Sequence, residues 1–192
     1  VLRTVPSMKD TFALDVNAIE AAITPKTRAI IVNTPNNPTG VVYKEEELKR
    51  LCAVLDAAGA QYGRPIFMIS DEPYRFLAFD GTVVPPVLPM YRYAVVVGSF
   101  SKNLSLAGER LGYLALSPKL EEAERGQLLA AVIMTNRILG YVNPPVVGQY
   151  LMAAALDNPV DADIYRRRRD VMARVLTEAG YEFQLPKGAF YF

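Results

Sequence analysis

Apolar residues follow two patterns along this chain, and they alternate. Short unbroken runs, Arg28-Ala29-Ile30-Ile31-Val32, Ile66-Phe67-Met68-Ile69-Ser70 and Tyr93-Ala94-Val95-Val96-Val97-Gly98, predict buried strands of the kind found in parallel sheets, where both faces are covered. Leu111 to Leu116 is a further strand, with Gly112 allowing close approach of another backbone. Between the runs, apolar positions recur at helical spacing. Leu48, Leu51, Cys52 and Leu55 share one face of a helix over 44–60, and Leu14 to Ile23 forms a short amphipathic helix with Asp15 as N-cap.

A long helical pattern runs from Pro118 to about Leu139, with Pro118 suited to the first turn and Glu121, Glu122 and Glu124 complementing the helix dipole. Val146 to Leu156 predicts another helix. Asp161 to Ala179 predicts an amphipathic one, with Ile164, Val171, Val175 and Leu176 inward, its arginines outward and Gly180 ending it. Residues 76–90, with Pro85, Pro86 and Pro89, cannot be regular structure and are expected to wrap over the surface. Asp157-Asn158-Pro159 marks a boundary. Beyond it, Tyr181 to Phe183 and Ala189 to Phe192 read as strands of a second, incomplete domain.

Composition narrows the function. Hydrophobic residues make up 51% and charged residues 21% of 192 positions, enough apolar content for a sizeable core. A formal charge of +1 offers no electrostatic pull toward nucleic acid or an anionic membrane, and the run Arg166 to Arg169 is expected to be a solvated helix face. No apolar run approaches the ~20 residues that span a bilayer. Cys52 is the single cysteine, a core residue in this pattern, and its isolation leans toward the cytoplasm. Histidine is absent, which excludes a Ser-His-Asp triad and histidine zinc ligands and leaves proton transfer to lysine, tyrosine or a carboxylate.

The candidate chemistry lies at the carboxyl ends of the strands, where open α/β sheets hold ligands. Lys102 follows the third run, and Arg110, eight residues later among glycines, can return to the same pocket as an anion clamp. Ser99 and Ser101 can donate hydroxyl protons to that anion. A lysine for a carbonyl and arginine with serines for a phosphate suit a phosphorylated aldehyde cofactor. Upstream, the first run ends in the turn-rich Asn33-Thr34-Pro35-Asn36-Asn37-Pro38-Thr39-Gly40, and the second delivers Asp71 in Ser70-Asp71-Glu72-Pro73-Tyr74.

These motifs carry a resemblance. Ser99 to Tyr113, SFSKNLSLAGERLGY, is similar to the cofactor-lysine segment of fold-type I pyridoxal-phosphate aminotransferases of class I/II. Asn36 to Gly40 and Ser70 to Tyr74 match in the expected order, and the closing Pro186-Lys187-Gly188-Ala189-Phe190-Tyr191 resembles a segment of that family's small domain. The resemblance implies an α/β fold: a three-layer α/β/α large domain with a mainly parallel sheet over 1–158, its Leu111–Leu116 strand antiparallel, and a linker helix and the start of a small α+β domain over 159–192. It implies pyridoxal 5'-phosphate as cofactor, amino acid and 2-oxo acid as substrates, and a homodimer with active sites at the interface.

By the same resemblance Lys102 forms the Schiff base and moves the proton, and Asp71 meets the pyridine nitrogen. Asn37 and Tyr74 hold the ring oxygen, while Ser99, Ser101 and Arg110 bind phosphate. Glu72 is expected to face a neighbouring strand or solvent. The chain starts at Val1 without methionine and stops at Phe192 in an apolar run, so it is expected to be part of a longer protein and to bind the cofactor poorly alone. The arginine that binds a distal carboxylate in some aspartate aminotransferases falls on Ile138 here, beside Arg137, which points to neutral or aromatic donors. A carbon–sulfur β-lyase, an aminocyclopropane-carboxylate synthase and the effector domain of a transcription regulator share the scaffold and stand as alternatives.

Overall fold

The computed structural model describes residues 2–158 and 160–192. Helix α1 (Val16–Ala22) starts where Asp15 accepts a hydrogen bond from the Ala18 N–H at 2.9 Å. Strand β1 (Ala29–Asn33), helix α2 (Glu45–Tyr62) and strand β2 (Phe67–Asp71) follow, then β3 (Ala94–Ser99), the four-residue α3 (Phe100–Asn103), a 3₁₀ turn at Ala107–Glu109 and β4 (Gly112–Leu116). Helices α4 (Glu122–Ile138), α5 (Val146–Ala155) and α6 (Ala162–Glu178) complete the order.

The sheet runs β1-β2-β3-β4, with the first three strands parallel and β4 antiparallel to β3. This is the α/β arrangement expected. Gly112 is needed for the last pairing, since a Cβ there would lie 2.6 Å from the Gly98 carbonyl oxygen. No helix among the described residues is long and apolar enough to cross a membrane.

Alternation along the strands sends Val32, Met68, Ala94 and Val96 to one face, where Leu48, Leu51, Cys52 and Leu55 of α2 and Val16 and Ile19 of α1 cover them. Each such side chain contributes about 1.5–3 kcal/mol by burial. Cys52 is part of this core, and burial pushes its thiol up to about 11, which keeps it protonated and inert. The opposite face is open over β1, where Ile31 is 64% exposed. Of the three expected layers, the described residues supply the sheet and the α1/α2 layer there.

Several expectations needed correction. Residues 76–90 are irregular, yet they plug the body rather than wrap it: Leu77, Phe79, Val84 and Val87 are all buried. Arg75 makes this tolerable by donating to the carbonyls of Val84 (2.8 Å) and Pro85 (3.3 Å). Pro118 lies before α4 rather than in its first turn, because Ser117 donates to Leu88 O (2.8 Å) and accepts from Lys119 N–H (3.2 Å) in a turn of its own. Residues 181–183 and 189–192 form no strand. The one isolated bridge nearby among the described residues pairs Gly188, which lies between them, with Ala78.

Helix α6 also departs from its pattern. Val171 and Val175 remain about half exposed, whereas Arg169 is only 7% exposed. Its guanidinium stacks on the Phe79 ring at 4.8 Å, pairs with Asp80 at 2.7 Å and donates to Pro186 O at 3.1 Å. Charge pairing and a ring face thus decide which side of the helix docks. Arg169→Ala in the full-length protein is expected to cost about 2 kcal/mol, less than the ~3–5 kcal/mol of a fully buried pair because Asp80 stays partly hydrated. The urea midpoint should fall at unchanged slope, and Asp80→Ala should add little to it. An unmoved midpoint would show the pair to be energetically idle.

Candidate functional site

The parallel register sets Asn33 beside Asp71 and Asp71 beside Val97, at the carboxyl ends of three adjacent strands. Side chains alternate, so Asn33, Asp71 and Ser99 lie on the face opposite α2, the face left open at Ile31. Asn33 ties the row together. Its amide nitrogen donates to the Asp71 carboxylate at 3.1 Å and to the Asp71 carbonyl at 2.9 Å, and its amide oxygen accepts from the Asn37 N–H at 2.7 Å. In the sequence Asn33 reads only as one of the turn formers of 33–40. Its position at the end of a buried strand, four residues before Asn37, was the available signal.

Asp71 is half-buried, and burial raises its carboxyl above the ordinary value of 3.8 while the Asn33 hydrogen bond opposes the shift. Among the described residues no cation pairs with it. A neutral amide is its only close side-chain donor, so the carboxylate lacks a positive counterpart. Glu72, by contrast, is buried rather than facing solvent: it accepts from Ser70 Oγ (2.8 Å) and Arg75 (2.8 Å), which fixes the turn that presents Tyr74.

Tyr74 is 4% exposed and its phenol is raised chiefly by burial, then by the neighbouring Tyr191 hydroxyl and the Asp71 charge, with the Asn37 side chain opposing the shift. Its ring packs edge-on against Phe190 at 5.1 Å. Phe190 in turn offers its face to the Lys102 ammonium at 5.5 Å, so one aromatic ring joins the lysine to the tyrosine. Lys102 is half-buried on α3.

Ser99 caps α3 by accepting from the Ser101 N–H at 3.1 Å, which leaves its hydroxyl proton free to be donated outward. Ser101 is half-buried on the same turn. Arg110 is exposed, with φ of 51°, and donates to the Ala107 carbonyl at 3.0 Å. The structure therefore brings Asn37, Asp71 and Tyr74 together at the strand ends and joins Lys102 to them through the Phe190 ring, while the exposed Arg110 turns its guanidinium back onto its own loop at Ala107.

The donor set fits a phosphorylated pyridine aldehyde. A half-buried carboxylate without a cation partner among the described residues, a lysine amine resting on a ring that packs on Tyr74, and the Ser99 hydroxyl proton are the chemistry such a group calls for.

The chain matches the family model for aminotransferase class I and II over residues 1–192. It is 33% identical to a probable aspartate/prephenate aminotransferase of Aquifex aeolicus over 192 residues, covering 94% of this chain and 45% of that relative. It is 32% identical to aromatic-amino-acid aminotransferase 2 of Thermococcus litoralis, again covering 94% and 45%. The crystal structure of an amino transferase from Eubacterium rectale superposes with a TM-score of 0.90 at 40% identity, over 96% of this chain and 46% of that one. The chain spans about half the length of the curated relatives it matches. With a matched family model along its whole length and this fold beneath the motifs, the chain belongs to the class I and II aminotransferases.

Proposed function

We propose that the protein carrying this chain is a pyridoxal 5'-phosphate-dependent aminotransferase that moves an amino group from an L-amino acid to a 2-oxo acid. The observation that carries this reading is Asp71, a half-buried carboxylate at a strand end with no cation partner among the described residues. When bound, the cofactor supplies an electron-accepting pyridinium ring.

Asp71, steered by Asn33, holds a proton on the ring nitrogen. Asn37 and Tyr74 orient the ring through its hydroxyl oxygen. Ser99, Ser101 and Arg110 would hold its phosphate. Lys102 would supply the amine that holds the group and the base that moves the proton of the donor's α-carbon. Phe190 shields that amine from bulk water on one side.

Residues 1–158 are assigned to the large domain, and 159–192 to a linker helix and the start of the small one. The whole protein is inferred to be a cytoplasmic homodimer. The lone buried thiol supports the compartment. Exposed apolar side chains on and beyond α4, among them Ile133, Met134, Ile138, Leu139 and Tyr141, support a further protein surface covering them.

Amino donors are expected to be neutral or aromatic rather than acidic, since the exposed Ile138 offers a distal carboxylate nothing to pair with. The test is a donor panel on the full-length protein with 2-oxoglutarate, comparing kcat/KM. Glutamate and a donor-derived 2-oxo acid should form only when acceptor is present. Ammonia and pyruvate released without acceptor would mark a lyase instead. Aspartate leading every neutral donor a hundredfold, about 2.7 kcal/mol of discrimination, would overturn the donor preference and direct attention to Arg137.

A further inference from the structure

The closing segment is fastened to both loops that form the cleft. The N–H groups of Lys187 and Gly188 donate to Gly40 O at 3.0 and 2.9 Å, and the Ala189 N–H donates to Leu77 O at 2.9 Å. A Cβ on Gly188 would lie 2.7 Å from Pro35 Cβ and 2.9 Å from Leu77 O, so only glycine lets the segment pass between the two loops. Ala189 is fully buried with φ of 58°, and the chain turns there to lay Phe190 and Tyr191 on Tyr74.

The hydroxyls of Tyr191 and Tyr74 are 2.5 Å apart, with the rings edge-on at 5.6 Å. A phenol has one proton to give. If Tyr74 gives its proton to Tyr191, nothing in the cleft receives it. If Tyr191 gives, the Tyr74 oxygen is satisfied as an acceptor and its own proton is free for the cleft beside Asn37. A hydrogen bond received also makes the receiving hydroxyl a stronger donor.

We propose that Tyr191 is a positioning residue of this site: its hydroxyl donates to Tyr74 and thereby directs the Tyr74 proton at the ring oxygen of the bound cofactor. This rests on the aminotransferase reading. It assigns a role to Tyr191, which the sequence presents within the closing motif but gives no task, 117 residues from Tyr74. The role is in orienting a proton, so Tyr191 need not touch substrate.

The experiment titrates the visible absorbance of full-length protein loaded with pyridoxal phosphate, for wild type, Tyr191→Phe, Tyr74→Phe and the double variant. Tyr191→Phe keeps the ring and its edge-on packing and removes only the hydroxyl. It is expected to raise the proton affinity of the lysine-linked chromophore by roughly three- to tenfold, the worth of one net hydrogen bond. Tyr74→Phe should raise it at least as far, and adding Tyr191→Phe to it should change nothing more. An unmoved midpoint in Tyr191→Phe overturns the proposal. So does an equal rise in the Tyr74→Phe background, which would show Tyr191 acting independently. Wild-type protein that takes up no pyridoxal phosphate and shows no such band would overturn the aminotransferase reading and this inference with it.

Discussion

Lys102→Ala in the full-length protein is expected to lower amino transfer by at least about 10⁴-fold, because one side chain supplies both the attachment point and the moving base. The structure gives this lysine no structural task that would explain its burial. It lies half-buried on a four-residue helix, and among the described residues it forms no ion pair; its ammonium rests on the Phe190 ring. A lysine present for solubility would extend into water, and its loss would cost nothing. Borohydride reduction of the loaded wild type, followed by peptide mapping, should place the pyridoxyl group on Lys102. A small primary amine added to Lys102→Ala should restore part of the proton-transfer rate without restoring the covalent link. A label on another lysine, or a variant within tenfold of wild type, would sink the assignment.

Asp71 carries the second large effect, and it has two opposite signs. Asp71→Asn should slow α-proton abstraction by roughly 10³-fold or more in single-turnover measurements, since a neutral amide cannot hold a proton on the ring nitrogen. The same substitution should stabilise the cofactor-free protein at neutral pH. Burial raises the Asp71 carboxyl in the folded state, so the native protein binds that proton more tightly than the unfolded chain does.

The stability this confers is fully present below the unfolded value near 3.8 and is lost as pH rises through the folded one. Above that window the charged carboxylate is a cost, and asparagine removes it while its amide oxygen still accepts from Asn33. Cofactor-free Asp71→Asn should therefore melt higher than wild type at pH 7, with the gap closing toward pH 3.8. Loading with pyridoxal phosphate should reverse the order. Equal melting points at pH 7 and an unchanged proton-abstraction rate would together remove Asp71 from the site.

Much of the frame was readable from the chain. The four apolar runs became β1 to β4 within a residue or two, and the face of α2 set by Leu48, Leu51, Cys52 and Leu55 is the one that is buried. Local rules account for this. Strand and helix follow from the spacing of apolar side chains, and ends follow from caps such as Asp15 and stops such as Gly180, which has the expected positive φ of 79°. The motifs that place Asn37, Asp71, Tyr74 and Lys102 at strand ends are local too, because a residue's distance from the end of a strand is fixed by counting.

What counting cannot provide is a partner across the sheet or across the molecule. Asn33 looks like any turn asparagine until the parallel register brings it against Asp71, 38 residues away. Arg169 stands in a run of four arginines that reads as a solvated face. Only the packed fold shows it pinned to Asp80, 89 residues earlier, while the valines of the same helix stay half exposed. Glu72 and Tyr191 repeat the case, one buried against Ser70 and Arg75, the other hydrogen-bonded to Tyr74. Burying a charge or a hydroxyl is favourable only when a specific partner is held in reach. Backbone distant in sequence does the holding, so the sequence by itself determined the four strands, the helices and which motifs stand at strand ends, while the tertiary structure decided which polar groups meet and left 181–183 and 189–192 without strands.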